Sequence, residues 1–95
     1  MSAVADAEFM EYIEFIISNY KAPATAIEHY DGIMEAIRDL RKNPFVNAVR
    51  FNPILQKYGC SVRRVNFKKM AIIYTINENT IHIHRIMPAS MITGL

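Results

Sequence analysis

The chain has 95 residues, 52% of them apolar, 21% charged, and only one a cysteine. That length suits a single domain with a modest core, and the lone Cys60 excludes an internal disulfide and reads as a small packing residue. The longest apolar stretches, such as Met70 to Tyr74, are too short to span a bilayer, and the opening residues lack the pattern of a secretory leader.

One soluble domain over residues 1–95 in a reducing cytoplasm is therefore expected. The net charge of +2 conceals a segregation: residues 1–40 carry eight acids against Lys21 and Arg38, whereas residues 41–95 carry nine bases against Glu78. The two parts thus hold −6 and +8. Either they neutralise each other within the fold or they form a dipolar surface, whose basic side suits a polyanion or an acidic protein.

The first expected element is a helix from about Asp6 to Tyr20. Phe9, Tyr12, Ile13, Ile16, Ile17 and Tyr20 follow the spacing of one helical face, and Asp6 is placed to cap the N-terminus. Lys21-Ala22-Pro23 makes a corner, with Pro23 in the first turn of a second helix. Ile27, Tyr30, Met34, Ile37 and Leu40 mark its apolar stripe, interrupted by Gly32, and Asn43-Pro44 ends it. So short a corner makes the helices antiparallel.

Phe45 to Gly59 has two prolines and no clean period, and predicts a loop crossing from helices to sheet, pinned by Phe45, Phe51, Ile54 and Leu55. Ser61 to Phe67 alternates as a strand, with Arg63, Val65 and Phe67 on one face and Val62, Arg64 and Asn66 on the other. Met70 to Ile76 is apolar on both faces, as a central strand is. Thr80 to Met87 forms a third strand before Pro88. The short turns at Lys68-Lys69 and Asn77-Glu78-Asn79 make the meander antiparallel. The fold expected is α+β: an N-terminal antiparallel helical hairpin on a C-terminal three-stranded antiparallel sheet.

The run Gly59 to Val65, then Ile72-Ile73-Tyr74-Thr75-Ile76, then Thr80 to Ile86 with its Ile83-His84-Arg85-Ile86 ending, resembles the C-terminal half of toxins of the RelE/ParE superfamily. Glu11-Tyr12-Ile13 and Ala26 to Leu40 followed by Pro44 are similar to that family's helical hairpin, so the likeness covers residues 6–90. The resemblance implies the toxin of a type II toxin–antitoxin module, of the kind also known as plasmid stabilisation proteins, held inactive by a cognate antitoxin. One branch cuts messenger RNA on the ribosome and the other poisons DNA gyrase; fold alone does not choose between them.

The sequence departs from the family pattern in three places. The family opens with a β-strand, but only Met1 to Ala5 precede Asp6, so that strand is expected to be short, missing or truncated. Where nucleases of the family carry an arginine three residues before the strand tyrosine, this chain has Ala71. After the last strand, Met87-Pro88-Ala89-Ser90-Met91 offers no ionisable group. These departures favour the gyrase-binding branch over the ribonuclease, with a non-catalytic binding module as a third reading.

RNA cleavage by a 2′-hydroxyl needs a base, an acid and cations to offset phosphorane charge. His82, His84 and Tyr74 are the candidate acid/base groups; the two histidines share one strand face. Arg63, Arg64, Lys68, Lys69 and Arg85 are the candidates for holding a polyanion or an acidic partner, converging into one patch or pairing with acids of the hairpin such as Glu28 or Glu35. Two histidines with a distant His29 do not give metal-ligand spacing, so no metal and no cofactor are expected. A self-associated chain is expected if the sheet edge is left uncovered.

Overall fold

The computed structural model describes every residue except 22, 50–54, 60, 79 and 93–95. The expectations placed on Phe51, Ile54, Cys60, Asn79 and the side chain of Tyr20 lie outside what is described.

Helix α1 runs Ala3–Tyr20 and α2 runs Pro23–Lys42. Strands β1 (Arg63–Phe67), β2 (Met70–Asn77) and β3 (Thr80–Pro88) form an antiparallel sheet in the order β1-β2-β3. Short 3-10 turns lie at Gln56–Tyr58 and Ala89–Met91. The α+β arrangement of a helical hairpin followed by a three-stranded meander is the one expected.

The start of α1 is a correction. Asp6 lies in its first turn, and the cap is Ser2, whose hydroxyl accepts from the Ala5 N–H at 3.0 Å. The same hydroxyl donates to the His84 carbonyl at 2.9 Å, and the Ser2 N–H donates to the Ile83 carbonyl at 2.9 Å. The helix start is therefore fastened to the outer edge of β3, where free carbonyls would otherwise invite another strand. Lys21 closes α1 in the left-handed region (φ 48°), its N–H bonded to the Ile17 carbonyl.

Strand β2 is buried on both faces, and its alternation divides the core. Met70, Ile72 and Tyr74 pack under the hairpin with Phe9, Ile33, Ile37 and Leu40, joined by Ile83 and Ile86 of β3. Ala71 and Ile73 face the other way, against Leu55, Val62, Met87 and Ile92. Leu55, Tyr58 and Val62, ahead of β1, thus help to cover the second face of the sheet. Leu55 is buried as expected, but Phe45 is 61% exposed and does not enter the core. Its ring lies beneath the Arg63 guanidinium at 5.3 Å instead.

Gly32 lets α2 come down on the sheet. A Cβ there would lie 2.1 and 2.3 Å from carbons of the Phe67 ring, so the space a side chain would take is filled by that ring. Pairing of β2 with β3 shifts register between Ile73 and Tyr74, which face Arg85 and Ile83, leaving His84 as an extra residue. This bulge lets Ile83 and Ile86, three apart, both reach the helical core, and it redirects the side chains between them.

Candidate functional site

The expected acid/base and cationic residues fall into three separate places. Tyr74 is fully buried. Its hydroxyl donates to the Pro44 carbonyl at 3.0 Å and accepts from Asn47 Nδ2 at 3.2 Å. Arg63, its cross-strand neighbour, donates to the Asn47 carbonyl. Tyr74 and Arg63 together hold the segment that follows α2 against the end of the sheet. Arg64 points to the opposite side of β1, with Nε bonded to Asn66 Oδ1 at 2.9 Å. Ala71 is wholly enclosed, so that position offers no side chain to solvent.

A second place gathers around Tyr58. Its ring stacks on His84 at 5.3 Å, and Lys57 Nζ lies 5.1 Å from the ring centre. His84 Nε2 is 2.8 Å from Thr75 Oγ1, and Thr75 faces His82 across the strands, so both histidines share one neighbourhood as expected. Partial burial, and secondarily the charge of His82, lower the His84 pKa below its usual 6.5.

Arg85 borders the same place but turns around the edge of β3. It grips Glu8 of α1 with two bonds, Nε to Oε1 at 2.9 Å and Nη2 to Oε2 at 2.7 Å, and donates from Nη1 to the Tyr58 hydroxyl at 2.9 Å. Glu8 Oε1 also accepts the Ile86 N–H at 3.0 Å. The hydrogen bonds to Glu8 and then Tyr58 raise the Arg85 pKa above its already high value. The acid partner of this arginine belongs to the hairpin, but it is Glu8 rather than Glu28 or Glu35.

The third place is a groove of about 960 Å³ between α1, the β1–β2 turn and the chain after β3. Phe15, Ile16, Met70, Ile86 and Met91 supply its apolar lining, and Glu11, His29, Lys68 and Lys69 its polar one. Lys68 turns the chain at φ 53°, with Nζ 3.9 Å from Glu28 and 5.8 Å from the Phe67 ring centre. That pair is exposed and contributes little, so the ammonium stays available to a ligand.

Tyr12 and His29 line this groove and were not singled out as a pair by the sequence. The Tyr12 hydroxyl bonds His29 Nδ1 across the hairpin, and His29 meets Phe67 edge-on at 5.9 Å. Burial and the neighbouring Lys68 lower the His29 pKa, against an opposing pull from Glu28. The imidazole is thus held neutral at physiological pH, able to accept or donate a proton but not to act as a fixed cation. The two residues stand 17 apart on different helices, and no local spacing signals their meeting.

The lysines and the strand histidines do not converge. Lys69 adjoins Met70 while His82 pairs with Thr75, and five strand residues span roughly 17 Å. Among the described residues, no group of three or more His, Cys, Asp or Glu is placed to hold a metal ion, and no helix is long and apolar enough to cross a membrane.

No protein-family model and no curated protein matches this chain.

Proposed function

We propose that this chain is the toxin of a type II toxin–antitoxin module, acting in the cytoplasm by binding a target, with DNA gyrase the target favoured. In this reading the groove holds a segment of the antitoxin. The observation that carries it is the groove itself: an apolar channel lined by Phe15, Ile16, Met70, Ile86 and Met91, with Lys68 and Lys69 at one side. An amphipathic segment can lay apolar side chains into such a channel and set a carboxylate against the lysines.

The reading is further supported by how the candidate catalytic groups are engaged. Tyr74 has its hydroxyl committed inside the core, Arg85 has its charge matched by Glu8, and the lysines stand apart from the strand histidines. Acid/base chemistry on RNA would need these groups to converge on one phosphate.

A second reading, a metal-independent ribosome-dependent endoribonuclease, is favoured by the grouping of His82, His84, Lys57 and Tyr58 on one side of the sheet.

Induced expression in a bacterial host tests both. Under the first reading, growth arrests, co-expression of the neighbouring small frame relieves it, DNA supercoiling by gyrase is inhibited, and His84→Ala leaves arrest intact. Lys68→Glu with Lys69→Glu prevents the relief. Messenger cleavage on ribosomes that His84→Ala abolishes selects the second reading. Absence of arrest overturns both.

A further inference from the structure

The helical hairpin has another surface, on the side of α1 turned away from the groove. Met10, Ile13 and Ile17 are spaced i, i+3, i+7 along α1, and Ile27, Tyr30 and Met34 are spaced the same way along α2. Phe9 and Tyr30 stack with ring centres 5.1 Å apart, which sets the two stripes side by side along the outer seam between the helices. Ile13 and Met34 pack partly into the core beneath it. The others remain open: Met10 is 54% exposed, Ile17 45%, Ile27 62% and Tyr30 43%. Four large apolar side chains on one seam exceed the scattered exposure usual on a soluble surface.

The charges around the seam identify what can cover it. Asp6 and Glu14 flank the α1 stripe, and Asp31 and Glu35 flank that of α2, all exposed; the bases nearest them are Lys21, which caps α1 after Ile17, and Arg38, one turn beyond Met34, so acids outnumber bases along the seam. A second copy of the chain laid face to face would set like charges against each other, and an anionic membrane surface would be repelled in the same way. An apolar segment edged with lysine or arginine would meet both demands at once.

We propose that the outer seam of the hairpin docks a basic amphipathic segment of a partner protein. It goes beyond the antitoxin groove: the two surfaces lie on different sides of α1 and call for ligands of opposite charge. The molecule could then hold one partner on each.

The test uses the whole chain and a fluorescein-labelled 18-residue helical peptide of leucines and lysines, read by anisotropy against the same peptide with glutamates for lysines. The lysine peptide is expected to bind at least tenfold more tightly. Met10→Ser with Ile27→Ser should weaken it at least tenfold, and Asp31→Lys with Glu35→Lys likewise, with circular dichroism unchanged. Phe15→Ser, in the groove, should leave affinity within twofold. Equal binding of the two peptides, or indifference to both seam pairs, overturns the proposal. So does a loss caused by Phe15→Ser, which would place the peptide in the groove. Sedimentation supplies a further check: a wild-type dimer that Met10→Ser with Ile27→Ser dissolves would give the seam to a second copy and end the proposal. None of these outcomes depends on toxicity or gyrase.

Discussion

Replacing Glu8 with alanine tests the junction between α1 and β3. Glu8 accepts three hydrogen bonds, two from Arg85 and one from the Ile86 N–H. The two side chains are 27% and 19% exposed, so water reaches the pair but does not surround it. A hydrogen bond to a charged group is worth about 1.5–3 kcal/mol when its loss leaves a partner unmatched, and solvent screening keeps this pair below the 3–5 kcal/mol of a fully buried one. We expect Glu8→Ala to cost about 2–3 kcal/mol in urea unfolding. At about 4–8 °C per kcal/mol for a domain of this size, the midpoint of thermal unfolding should fall by about 10–20 °C. Glu8→Gln keeps an acceptor for Ile86 and should cost only about half as much. In an Arg85→Met background, Glu8→Ala should still cost about 1 kcal/mol through the orphaned Ile86 N–H, so the cycle yields a coupling above about 1 kcal/mol. A Glu8→Ala chain within 0.5 kcal/mol of wild type, or a cycle with no coupling, would refute the assignment of this contact as the clasp between hairpin and sheet.

Gly32→Ala should destabilise by about 1 kcal/mol, because the clash with Phe67 outweighs the gain in helix propensity; in a Phe67→Ala background the same change should stabilise by about 1 kcal/mol. Urea titrations of the four chains decide it. Tyr74→Phe should cost about 1–2 kcal/mol by leaving the Pro44 carbonyl and Asn47 amide without their partner, read as a lower thermal midpoint with unchanged circular dichroism. His29 and His84 both have pKa values below 6.5 in the folded chain. The unfolded chain therefore binds more protons just below that pH, so stability should be full above about 6.5 and fall as pH drops through the folded values. Removing both histidines should flatten that limb of the stability curve.

The hairpin and the meander could be read from periodicity because each helix keeps an apolar stripe and β2 is apolar at every position from Met70 to Ile73. The true start of α1 was not legible. Ala3, Val4 and Ala5 carry no capping signal, and Ser2 earns its role through contacts with Ile83 and His84, more than eighty residues away. Phe45 looked like a core anchor because hydrophobicity says nothing about an arginine arriving from β1 to lie over the ring. The His84 bulge was equally hidden: strand alternation assumes a constant period of two, and one inserted residue turned Arg85 towards Glu8. The histidines' shared neighbourhood was legible, since it needs only local alternation. The groove was not, because Tyr12, His29 and Lys68 come from three elements and meet only when the hairpin closes on the sheet.

The double burial of β2 has a consequence for how the chain must be made. Its run from Met70 to Ile76 is uncharged and rich in β-formers, the composition that stacks into fibrils when left exposed. In the finished fold it is shielded by neighbours on both edges and both faces, and one of those edges, β3, is synthesised only after it. The hazard thus belongs to nascent and partly opened molecules. Lys68 and Lys69 before the run and Glu78 after it stand where charged gatekeepers hold such segments apart. Charge reversal by Lys68→Glu with Lys69→Glu keeps that brake on aggregation, whereas alanine at both positions would remove it and should lower the expression yield.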